Sequence, residues 1–107
     1  MMAAAIRKSL PPARKPAVWD LRLYVVDQTP RSIQAFTNLK NVCEEHLPGR
    51  YRINVIDVLA HPDVARAEQI VALPTAVRRR PKPVRTAIGD LSDAGRVVTW
   101  LGLGRQN

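Results

Sequence analysis

Cys43, His46 and His61 are the soft donors of this 107-residue chain, and their spacing decides what they can do. Cys43 and His46 stand three residues apart, so on a helix they would share a face and could touch one metal ion. A protein metal site of this kind needs three or four ligands, and only His61 remains to complete it, so no metal centre is expected. Thiol-disulfide exchange needs a thiolate activated at a helix N-terminus and a second thiol to resolve the mixed disulfide. A single cysteine lacks that second thiol. Cys43 also falls late in an apolar-periodic segment, where a thiol packs as a small hydrophobe. One cysteine excludes an internal disulfide framework and suits a reducing compartment, so the cytoplasm is the expected location. The carboxylates suggest no acid-base pair, because Glu44 and Glu45 diverge around a helix while Asp90 and Asp93 read as turn and cap residues. Gly102-Leu103-Gly104-Arg105 is no phosphate loop, since no strand feeds it and no helix follows. The sequence therefore predicts no catalytic residue and no cofactor.

Charge is the remaining chemistry. Seventeen Lys and Arg against nine Asp and Glu leave +8 at pH 7, which calls for an acidic partner. Residues 1–18 hold Arg7, Lys8, Arg14 and Lys15, prolines at 11, 12 and 16, and no acidic residue, and read as a basic, flexible tail. The segment loosely suits a transit peptide, but Pro11-Pro12 interrupts any amphipathic helix and no apolar stretch follows. The second concentration is Arg78, Arg79, Arg80, Lys82 and Arg85, the candidate partner-binding set. It could be a solvated edge that blocks strand-to-strand aggregation, or a nucleic-acid surface. Nucleic-acid binding usually adds stacking aromatics or a groove-reading helix, which this stretch lacks, so the acidic face of a protein is the preferred partner. No run approaches the ~18 apolar residues of a membrane span.

The elements that position these residues follow from periodicity. Leu21, Leu23 and Val25 alternate with Arg22 and Tyr24, as in a strand. Thr29-Pro30 is an N-cap followed by proline at the first helical position, and Ile33, Phe36, Leu39, Val42/Cys43 and Leu47 recur at helical spacing until Pro48-Gly49. Tyr51, Ile53 and Val55 alternate again, so a strand, helix and parallel strand form a right-handed βαβ unit. Pro62-Asp63 opens a second helix with Val64, Ala67, Ile70 and Val71 on one face, ending before Pro74. Thr75-Ala76-Val77 and Val84–Ile88 flank Pro81-Lys82-Pro83 as a hairpin, with its tip at a sheet edge or in solvent. A last helix, capped by Ser92 or Asp90, turns Val97, Val98 and Leu101 to the core, and residues 102–107 fray. The order βαβαββα is that of an α/β, thioredoxin-like single domain, here spanning 19–104.

Several stretches together resemble a KaiB-type protein of the circadian-clock family: Leu21-Arg-Leu-Tyr-Val, Thr29-Pro-Arg-Ser-Ile-Gln-Ala, Asn54-Val-Ile-Asp-Val-Leu, Ala72-Leu-Pro-Thr, Pro83-Val-Arg and Ile88-Gly-Asp-Leu-Ser. They run in the family's order over residues 20–103. The resemblance implies a non-catalytic regulator that docks on the N-terminal ATPase ring of a KaiC-type double-domain ATPase after ATP hydrolysis. It also implies metamorphism, with a tetrameric βαββααβ ground state beside the thioredoxin-like monomer, so a dimer or tetramer of this chain is a further expected association. In the thioredoxin-like state the proline at Pro74 is expected to be cis.

Matched by position, Arg78 and Arg85 correspond to basic residues of the family's partner-binding half. Asn54, Ala60 and Gln69 fall where clock KaiB proteins usually carry lysine, and Gln34 at a frequent arginine. Arg79, Arg80 and Lys82 stand where the family is apolar or proline, which suggests a divergent partner. Trp100 replaces a glycine and Gly102 an aspartate that matter to the choice between folds. Trp100 favours a helix over glycine and adds an apolar face, whereas Gly102 argues weakly the other way. With Pro74 these form the expected fold-switch set, and the thioredoxin-like form is the expected resting state. An alternative implied by the same resemblance is a stand-alone relative of the KaiB-like sensor domain of SasA-type kinases.

Overall fold

The computed structural model describes residues 18–103, so the expected basic tail lies outside the described residues except for Val18, as does the expected last domain residue, 104. Strand β1 (Trp19–Val25) places Leu21 and Leu23 wholly inside, while Arg22 points from the opposite face. The chain then enters α1 (Pro30–His46), where Thr29 Oγ1 accepts from the Ser32 N–H at 3.2 Å and Pro30 holds the first helical position. Strand β2 (Tyr51–Asp57) lies parallel to β1, with Trp19 opposite Tyr51 and Val25 opposite Asp57. Helix α2 (Pro62–Ala67), strands β3 (Thr75–Arg80) and β4 (Arg85–Ile88), and helix α3 (Ala94–Leu101) complete the order βαβαββα. The sheet runs β2-β1-β3-β4, with β3 antiparallel to both neighbours. The Leu73–Pro74 bond is cis, as are Arg80–Pro81 and Lys82–Pro83.

One apolar core joins one face of the sheet to α1 and α3: Leu21, Leu23 and Val25 gather with Ala35, Leu39, Val42, Cys43 and Leu47 and with Leu91, Val97 and Leu101. Leu39, Val42, Cys43 and Leu47 are buried as expected, and the face of α1 differs from the expected one only in its first two turns. Ser32 and Ala35 are buried, while Ile33 is 55% and Phe36 37% exposed. The small residues let the helix sit close to the sheet, and the Ser32 hydroxyl donates to the Val26 carbonyl at 3.3 Å, so it is satisfied inside. Helix α2 is shorter than expected and contributes no buried residue. Gln69 takes φ +58, which breaks the helical path, so Ile70 and Val71 leave the helix and Val71 stands 91% exposed.

The start and the end of α3 both correct the sequence reading. Its N-cap is Asp93, whose Oδ1 accepts from the Arg96 N–H at 3.1 Å, whereas Asp90 closes the preceding turn by accepting from Ser92 N at 3.1 Å. Only Asp93 is one position before the helix, where a side-chain oxygen reaches an unpaired N–H. At the other end the chain does not fray at once. Gly102 is the left-handed C-cap and Leu103 is fully buried in the core, while residues 104–107 lie outside the described range.

Candidate partner-binding site

Strand β3 continues three residues beyond Val77, and this decides where each arginine goes. Side chains alternate across a strand. In register, Arg78 lies opposite Leu21 and Ala76 opposite Leu23, so both face the helices. Arg78, counted from sequence in the candidate partner-binding set, is consequently turned inward and only 5% exposed. Its Nη1 donates to the Leu101 carbonyl at 2.8 Å, and its Nη2 and Nε donate to the Pro83 carbonyl at 2.7 and 3.3 Å. The guanidinium also lies 5.1 Å from the centroid of the Trp19 ring. Burial, and then the neighbouring charge of Arg85, push its pKa down from the usual arginine value. Arg78 thus ties the last turn of α3 to the hairpin tip from inside. Gly102 belongs to the same arrangement, since at φ +72 a β-carbon would stand 2.8 Å from Arg78 Nη1.

Arg79 projects to the opposite face, where its Nη1 bonds the Glu68 carboxylate. The same carboxylate lies 3.9 Å from Arg22, which in turn donates to the Tyr24 hydroxyl at 3.2 Å. This pairing fastens the chain after α2 to the sheet and neutralises Arg79. Of the five cations read from sequence, Arg80, Lys82 and Arg85 remain exposed together. Val18, Arg80, Pro81 and Lys82 line a groove of about 490 Å³ at the tip. Arg52 was missed by sequence reasoning. It is exposed on β2, and Asp20 sits opposite both it and Arg80 in the sheet register, so one row runs Arg52, Asp20, Arg80. Only the strand pairing carries that signal.

The other expected residues fall elsewhere. Pro74 is buried at the entrance to β3, where its carbonyl accepts from Gly89 N at 2.9 Å. Trp100 does not deepen the core: it is 39% exposed, with the Arg96 guanidinium 5.7 Å from its ring centroid. Gly102, expected to argue against the helix-ended state, is instead the residue that terminates α3. Cys43 is buried, and burial first, then the charge of Glu44, push its thiol up to about 12. A thiol so protonated is a poor nucleophile at neutral pH. Among the described residues no three His, Cys, Asp or Glu side chains gather into a metal-binding group, and no helix is long and apolar enough to cross a membrane.

The mixed four-stranded sheet with α1 and α3 on one face is a thioredoxin-like α/β fold. The N-terminal domain of Synechococcus elongatus SasA superposes on it with a TM-score of 0.68 at 24% identity, covering 87% of this chain and 90% of that domain. Mitochondrial thioredoxin 3 of Saccharomyces cerevisiae does so at 0.63 and 14% identity, covering 90% and 88%. Both likenesses concern the fold alone. The KaiB domain model matches residues 22–103, and the chain belongs to the KaiB family. It is 47% identical over 83 residues to the circadian clock oscillator protein KaiB of Microcystis aeruginosa, covering 78% of this chain and 80% of that protein. It is 47% identical over 91 residues to its counterpart in Nostoc sp., covering 85% and 82%.

Proposed function

We propose that this chain is a non-catalytic KaiB-type regulator that docks through its β3–β4 hairpin on an acidic face of a KaiC-type ATPase, in the cytoplasm and without a cofactor. The observation that carries the reading is the division of the basic run: Arg78 locks the hairpin from within, and Arg80, Lys82 and Arg85 are left exposed on it. Anchoring from within lowers the ordering cost when the tip meets a partner. The thioredoxin-like form is read as the resting state, because Gly102 and Arg78 both act on a helical end to the chain.

The test is co-elution and calorimetry with a KaiC-type ATPase in ADP and in ATP. The variant Arg80→Glu/Lys82→Glu/Arg85→Glu leaves Arg78 in place, so the fold is kept. Exposed ion pairs are each worth ~0.2–1 kcal/mol, and charge reversal adds repulsion, so an affinity loss of roughly tenfold or more is expected. Wild-type chain that neither nucleotide state retains, or a variant that binds as well as the wild type, would contradict the proposal.

A further inference from the structure

The exposed side of α1 and the free edge of the sheet leave a groove that the core does not use. Val25, Ile33, Phe36 and Val55 form its apolar walls, Asp27, Gln28 and Ser32 complete its lining, and its volume is about 210 Å³. Ile33, Phe36 and Val55 are 55%, 37% and 51% exposed, an unusual concentration of large apolar groups beside an unpaired strand edge. Two carboxylates stand at one end. Asp27 is exposed, and Asp57 is held beside it by the Asp27 N–H at 3.3 Å and the Leu59 N–H at 2.9 Å. A ligand for this groove is therefore apolar with an adjoining pair of positive charges.

This chain carries such a segment. Met2 to Ile6 is apolar throughout, and Arg7-Lys8 follows directly. We infer that residues 2–8 of the same chain occupy the groove, with Ile6 against Ile33, Phe36 and Val55 and Arg7-Lys8 beside Asp27 and Asp57. The connection is long enough. Residues 9–17 join Lys8 to Val18, and nine residues reach about 30 Å when extended. The groove level at Val55 lies opposite Leu23, five residues along β1 from Val18, or roughly 17 Å. A second copy of the chain could offer the same segment, but a tether as short as residues 9–17 gives the chain's own copy an effective concentration of order millimolar. The intramolecular occupant therefore prevails at ordinary protein concentrations. The inference does not rest on the KaiC reading, and its test uses no partner.

The full chain with Ser9→Cys is labelled with a nitroxide. Cys43, buried and with its thiol pushed up to about 12, stays unmodified, so the label is confined to the tail. Amide signals of Gln28, Ile33, Phe36 and Val55 are expected to fall below roughly half of their intensity in the reduced sample, while those of Val97 and Val98 on α3 keep theirs. The loss should be unchanged on tenfold dilution and should vanish when Ile6→Glu is added, a substitution outside residues 18–103. Equal intensities at the two sets of amides would overturn the inference. So would broadening that fades on dilution, which identifies a second copy as the occupant, or broadening indifferent to Ile6→Glu.

Discussion

Replacing Arg78 by methionine is expected to destabilise the chain by about 3 kcal/mol, which for a domain of this size lowers Tm by roughly 12–24 °C. The substitution keeps much of the apolar stem and removes every donor. The Leu101 and Pro83 carbonyls then lose the guanidinium that satisfies them, and a buried polar group left unpaired costs ~1–3 kcal/mol. Loss of the contact over Trp19 adds ~0.5–2 kcal/mol. Lysine should rescue only part of the loss, because one ammonium cannot span the two carbonyls as the planar fork does. Thermal unfolding followed by circular dichroism checks this. A Tm within a few degrees of wild type would mean that Arg78 is an ordinary surface cation, and the placement of the hairpin would need another cause.

Gly102→Ala is expected to cost about 2–3 kcal/mol, and its partner in that loss is Arg78. Alanine at φ +72 pays ~1–2 kcal/mol for left-handed backbone. Its β-carbon would also stand 2.8 Å from Arg78 Nη1, so the guanidinium must withdraw from the Leu101 carbonyl. In an Arg78→Met background that second cost has already been met. The double variant should therefore lose less than the sum of the single variants, by at least about 1 kcal/mol. Denaturant titrations of the four proteins measure the coupling. Strict additivity would show that the two residues act independently and that α3 ends at Gly102 for backbone reasons alone.

The parts of this fold legible in the sequence are those where one signal dominates. The alternation from Leu21 to Val25 and the Thr29-Pro30 cap specify β1 and the start of α1 without any tertiary information. The same periodicity places Leu39, Val42, Cys43 and Leu47 correctly but misplaces the first two turns of α1, because it weights Ile33 and Phe36 by size. Packing selects Ser32 and Ala35 by their smallness instead. Three consecutive arginines read as solvent because nothing local tells that β3 runs on to Arg80. Once it does, alternation sends Arg78 inward and Arg79 outward. The buried Arg78 was recoverable only through its long-range partners, Trp19 at the start of β1 and Leu101 at the end of α3. Asp93, Ser92 and Asp90 all have cap chemistry, and only the position of the first helical turn chooses among them. The same limit applied to the end of the chain. Leu103 looked like part of a glycine-rich tail until Gly102 reversed the chain and returned it to the core.

The most direct measurement of the account's central claim is lysine acetylation of this chain, free and bound to a KaiC-type ATPase in ADP, read by mass spectrometry. Lys82 lies at the hairpin tip and Lys40 is exposed on α1, so each molecule carries its own control. Binding through the hairpin predicts that Lys82 modification falls several-fold on complex formation while Lys40 reacts at its free rate. Protection of Lys40 with Lys82 unchanged would contradict it and move the docking surface to the helical side of the molecule.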